Sequence, residues 1–173
     1  NITLAGFNSG GGQAVRHLTA NAANAGTGAF GNVTFTNAVT LAGNLDVDGQ
    51  TISLSSTNSD ITLTGSGAAT FDATRNISLT TGSSLSSVNG NISLNANTAG
   101  TTAGNFIGID VNGGLIQTTG TGVVSVTGKG GTDSGGSQVG VRIQGGGDII
   151  GGTTGTVSVV GVGGAGGNQS NAG

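Results

Sequence analysis

Residues 76–94 read NISLTTGSSLSSVNGNISL. Within this stretch Ile77-Ser78-Leu79 and Ile92-Ser93-Leu94 alternate apolar and hydroxyl residues. A two-residue period places the apolar side chains on one face of a strand and the hydroxyls on the other. Residues 85–88 form a third short apolar run between them. Three short strands joined by polar, glycine-containing corners describe one coil of a β-solenoid.

The same word recurs along the chain. It appears at 1–4, 32–35, 60–63, 76–79 and 91–94, with related words at 38–41, 51–54, 123–126 and 156–159. Strands this short bury little alone, so repeated copies make sense only if they stack. Grouped in threes, the strands fall at 33–35, 39–41 and 45–47, then 52–54, 61–63 and 69–71, then 77–79, 85–88 and 92–94. Two longer coils follow, at 107–111, 115–116 and 123–126, and at 139–143, 149–150 and 157–159. A longer repeat supports this grouping, because 108–114 resembles 140–146. Junction words at 10–13, 135–138 and 166–169 also recur, and the last suggests that further coils follow in the native molecule.

The expectation is therefore an all-β fold, a parallel β-helix (β-solenoid) wound right-handed, with three short strands per coil and Gly-rich corner loops. One segment spans 1–173, with an irregular first coil over 1–31, short coils over 32–100, and longer coils with Gly-rich loops over 101–173. Within 14–29, the run 14–18 reads as one strand, and Ala14, Val15, Leu18 and Ala22 could mark a short helix; a coil with a long loop is the favoured reading. Residues 128–136 read as a loop bulging from one corner. The predicted interior stacks Val33, Phe35, Leu54, Ile61, Leu63, Phe71, Ile77, Leu79, Ile92 and Leu94. Thr and Ser face outward, Asn before a strand takes a left-handed corner or joins an Asn ladder, and Gly serves corners of positive φ. Six coils at about 4.8 Å would span about 29 Å.

Composition agrees with this reading and excludes others. Gly, Thr, Ser and Asn supply 97 of 173 residues, while Pro, Cys, Met, Trp, Tyr and Glu are absent. Without Pro or a three-residue Gly period, collagen is excluded. Without Cys, so is a disulfide scaffold. No apolar run is long enough for a membrane-spanning helix, so no membrane insertion of this segment is expected. A net charge of −3 with four Lys and Arg argues against nucleic acid as a partner. Low charge suits a stacked fold, where like charges would lie directly above one another. Neither end shows a capping helix or charged cap, so self-association end to end or through edge strands is expected.

The recurring N-I-[TS]-L words, Gly-rich corners and Cys-free composition resemble filamentous-haemagglutinin-like and autotransporter-type bacterial surface proteins with β-strand repeats. The resemblance is compositional and covers nearly the whole chain. It implies export to the extracellular side or the bacterial cell surface and a role as adhesin, stalk or fibre. A host or matrix ligand at the corner loops is the partner it implies.

Candidate chemical residues are few. Asp46 and Asp48 lie two apart on one strand face and could bind Ca²⁺ or act as acid and base. A hard cation takes six or more oxygens, so the pair reads better as a solvated surface pair. Residues 145–149 faintly resemble a Gly-rich calcium repeat but occur singly. His17 beside Arg16 has no second His, Cys or Glu with which to hold zinc. Arg75 and Arg142 lack a surrounding cleft of acids and aromatics. Thr34 with Thr36, and Thr62 with Thr64, could start an ice-binding array, but other coils offer Ser53, Ser78 or Ser93. Asn-X-Ser/Thr words at 1, 32, 76, 91 and 168 coincide mostly with the strand word. No catalytic, cofactor-binding or metal residue is assigned, and no cofactor is expected. A non-enzymatic structural or adhesive segment is the favoured function. A polysaccharide lyase or hydrolase and an ice-binding solenoid are the alternatives.

Overall fold

The computed structural model describes residues 1–8, 15–24, 26, 28–136 and 138–164. These residues are all-β, with sixteen strands and no helix. The strands come in successive triplets. The first triplet is β1 (Ile2–Leu4), β2 (Phe7–Asn8) and β3 (Leu18–Asn21). Then come β4 (Val33–Phe35), β5 (Val39–Leu41) and the first half of β6 (Leu45–Leu54). The second half of β6 opens the next triplet, with β7 (Asp60–Leu63) and the first half of β8 (Ala69–Leu79). The second half of β8 is followed by β9 (Ser84–Ser87) and β10 (Ile92–Ala96). Two triplets complete the series: β11 (Ile109–Asn112), β12 (Leu115–Thr118) and β13 (Val124–Lys129), then β14 (Val141–Gln144), β15 (Asp148–Ile150) and β16 (Val157–Val162).

Each strand pairs in parallel with its counterpart in the next triplet, and the strands form a ten-stranded and a six-stranded sheet. The pairing stacks like on like. Ile2, Val33, Ile52, Ile77, Ile109 and Val141 make one column. Val39, Ile61, Leu85, Ile116 and Ile149 make a second. Leu18, Leu45, Ala69, Ile92, Val124 and Val157 make a third. All-parallel pairing with strand separations this large is consistent with a β-helix or solenoid. Every residue expected inside is fully buried. Across the core Phe35 and Phe71 stack with ring centroids 6.0 Å apart and planes 1° from parallel.

Several sequence expectations are corrected. Residues 45–47 and 52–54 belong to one continuous strand, β6, which turns the corner through a register shift between Gly49 and Thr51. The corner is too short for a separate turn, and β8 does the same. In the first triplet the strand begins only at Leu18, so 15–17 carry neither strand nor helix, and Ala14 lies outside the described residues, as do 10–13 and 166–169. Gly128 and Lys129 extend β13, opposite Gly161 and Val162, instead of opening a loop. Not all hydroxyls face out: Ser59, Ser83, Ser87 and Thr118 are buried. Each donates to a backbone carbonyl, of Phe35, Thr80, Gly67 and Gly122 respectively. Such pairing removes the cost of burying an unsatisfied hydroxyl.

Asparagine works differently from a side-chain ladder. Oδ1 of Asn1, Asn44 and Asn91 accepts the backbone N–H of Asn32, Ala68 and Val123, one triplet on. None of these is left-handed, because the one non-glycine residue of positive φ among those described is Asn97, at φ 49°. Glycine also has a second role. Gly43, Gly67, Gly90, Gly122 and Gly155 stack at the corner between second and third strands, none with positive φ. A Cβ on Gly67, Gly90, Gly122 or Gly155 would overlap the carbonyl of the glycine one triplet earlier. Close backbone approach, and not turn geometry, demands glycine there.

Candidate functional site

The corner that follows each third strand differs between triplets. After β3 the chain makes an excursion, described over 22–24, 26 and 28–31, where Ala23 bridges Phe30 in antiparallel fashion and Asn24 N–H donates to the Ala29 carbonyl at 2.8 Å. After β10 it makes another over 97–108. Between these, β6 and β8 round the corner without any excursion. Gln50 N–H donates to the Gly31 carbonyl at 2.7 Å, and Thr102 Oγ1 donates to the Thr74 carbonyl at 2.6 Å. Each excursion is thus seated on the neighbouring tight corner.

The result is a trough of about 380 Å³, lined by Phe30, Asp48, Asp72, Ala73, Asn95 and 97–99 with 101–102. Asp48 and Asp72 are direct ladder partners. This corrects the expectation that low charge keeps like charges from stacking. The pair is tolerated because an amide flanks it on each side: Asn21 Nδ2 donates to Asp48 Oδ2 at 3.0 Å, and Asn95 Nδ2 donates to Asp72 Oδ1 at 2.8 Å. Burial pushes the Asp48 carboxyl above its ordinary value, and Asp46 and Asp72 push the same way. A raised folded-state value means that the folded chain binds the proton more tightly than the unfolded one. Stability from this group is therefore lost as pH rises through that window. Asp48→Asn, which keeps an acceptor for Asn21, is expected to raise the melting temperature at neutral pH. The gain should vanish at acid pH, below the ordinary carboxylate range. Paired thermal melts check this, and a loss at neutral pH would refute it.

The far wall is anchored by Asn97. Its side chain is buried and donates through Nδ2 to the Gly130 carbonyl at 2.9 Å, while its Oδ1 accepts from Thr102 N–H at 3.3 Å. Asn97→Gly keeps the left-handed backbone and loses these bonds. Asn97→Ala loses both, so it should be the more destabilising, at about 2 kcal/mol. Equal chemical denaturation midpoints for the two variants would contradict the role of φ.

The other sequence candidates are dispersed. Asp46 is exposed on the same face as Asp48 and pairs in register with Thr19 and Thr70. His17 is exposed and accepts Asn44 N–H through Nδ1 at 3.1 Å, a structural contact, and Arg16 is exposed beside it. The Arg75 guanidinium lies 5.0 Å from the centre of the Phe106 ring. Arg142 is clamped to Asp110, its ladder neighbour, by bonds of 3.0 and 2.7 Å that raise its basicity. Gly145 and Gly146 form a turn of positive φ before the exposed Asp148. The outward column through Thr34 runs Thr3, Thr34, Ser53, Ser78, Asp110 and Arg142. Among the described residues no three His, Asp or Glu side chains come together to hold a metal ion.

Sequence reasoning missed Asp72 and Phe30. Asp72 was partly within reach, since 45–48 and 69–72 both end in Asp shortly before a strand word, at offsets of two and three residues. Phe30 was not, because nothing in an irregular excursion announces where it folds back. No known family model, curated protein or solved structure matches this chain. Function has to be read from the geometry. No helix among the described residues is long and apolar enough to cross a membrane.

Proposed function

We propose that the chain is a right-handed β-helix with three strands per coil, serving as a stiff extracellular stalk or fibre unit at a bacterial surface. The observation that carries this reading is the parallel ladder through six triplets, with apolar columns inside and most strand hydroxyls outside. A hydrogen-bonded ladder resists bending and extension along its whole length. The handedness follows the general preference of parallel crossovers.

The last triplet supports self-association. Ile143, Val157 and Val159 continue the inner columns, yet they are 47 %, 42 % and 43 % exposed. β1 and β3 begin the same columns with Ile2, Leu4, Leu18 and Ala20. A second copy placed head to tail would extend each column with apolar residues and pair strand edges across the junction. Electron microscopy and sedimentation of the purified chain test this. Rods lengthening with concentration are expected, and Val159→Lys should shorten them. A compact, concentration-independent monomer would refute end-to-end stacking.

One observation favours the alternative of a polysaccharide-acting enzyme: two carboxylates stand one ladder step apart in a trough. Release of reducing or unsaturated ends from a polysaccharide panel would establish it.

A further inference from the structure

The trough between the two excursions offers a site that the stalk reading does not use. We propose that it binds an uncharged oligosaccharide chain, laid across the ladder along the corner of β6 and β8. This does not depend on end-to-end stacking.

Its size comes from the ladder. The 22–31 and 97–108 walls stand three ladder steps apart, about 14 Å at about 4.8 Å per step. The two tight corners between them form a floor wide enough for one extended chain. The walls are built before any ligand arrives, one by the Ala23–Phe30 bridge and the other by buried Asn97. A preformed trough loses little freedom on binding.

Its chemistry matches a sugar. Asp48 and Asp72 each receive one asparagine amide, and each keeps a second oxygen without a protein donor among the described residues. Two acceptors one ladder step apart suit neighbouring hydroxyls, which donate as a pair. Thr74, Thr98 and Thr101 line the same trough and are exposed. Phe30 and Ala99 supply apolar surface against which the C–H face of a pyranose can pack. A bare divalent cation would meet two carboxylates where six or more oxygens are needed. It would also leave the apolar wall unused.

The test is a titration of the full ¹⁵N-labelled chain with uncharged hexasaccharides of β-linked glucose, β-linked xylose and α-linked mannose. At least one should shift amides saturably at 30, 48, 72–74 and 95–102, with little dependence on salt. Phe30→Ala should weaken that binding about tenfold. Asp72→Asn, which preserves shape and can still meet Asn95, should weaken it too. Ladder amide shifts report whether each variant remains folded. The proposal is overturned if no hexasaccharide gives a saturable shift, or if both variants are folded and bind as the parent does. It is also overturned if only Ca²⁺ or a lysine-rich peptide perturbs the trough and salt abolishes the effect. Loss of filaments with retained sugar binding would sink the stacking reading alone.

Discussion

Gly90→Ala is expected to destabilise the chain by about 3 kcal/mol, the upper range for overpacking. The added Cβ would fall on the carbonyl of Gly67, which belongs to backbone and cannot swing aside. Gly90 in turn presents its own carbonyl beneath Gly122. Ser87 ties the same corner, donating to the Gly67 carbonyl at 3.1 Å and accepting Gly90 N–H at 3.1 Å. A shift at Gly90 therefore propagates to both neighbouring triplets. Gly136→Ala is the control, because a Cβ there meets nothing within 4 Å and the backbone is ordinary. It should change stability by less than about 0.5 kcal/mol. Chemical denaturation of both variants decides the matter. Equal midpoints would mean that the corner glycines are not closely stacked.

Phe71→Ala should cost about 3–5 kcal/mol. Phe71 is fully buried, lies between Val47 and Leu94 in its column, and stacks on the ring of Phe35 from another column. Removing the ring leaves a cavity that the ladder cannot close, since strand spacing is set by backbone hydrogen bonds and not by side-chain volume. Phe71→Leu should recover most of the loss. The circular dichroism transition of both variants measures this, and a Phe71→Ala midpoint close to the parent would show that the core is not packed through these rings. In a stacked array each triplet contacts only its neighbours. The lesion should therefore broaden the transition as well as shift it.

The core was legible because its rule is local. Ile77-Ser78-Leu79 declares which side chains face in without reference to any distant residue, and the same holds for each copy of the word. The candidate site was only partly legible. Asp48 was singled out beside Asp46, yet its partner is Asp72, 24 positions on, and only the Asp that ends each run ahead of the strand word points to the pairing. Ser59 and Ser87 look like outward hydroxyls in the sequence. Their burial depends on the carbonyls of Phe35 and Gly67, brought near by another triplet.

The sequence by itself determined that strands of this alternating pattern recur in threes and that apolar residues stack into continuous columns. Period-two alternation and repeated words are properties of short segments, and they survive whatever the corners do. Only the tertiary structure decided what the corners build. Excursions at 22–31 and 97–108, far apart in the chain, are seated on the corners of β6 and β8 by hydrogen bonds to Gly31 and Thr74. Those bonds span the interval between triplets, and that interval is the sum of every loop length around the circuit. No local pattern encodes such a sum, so the trough, its stacked carboxylates and its Phe30 wall emerge only when the triplets are laid on one another.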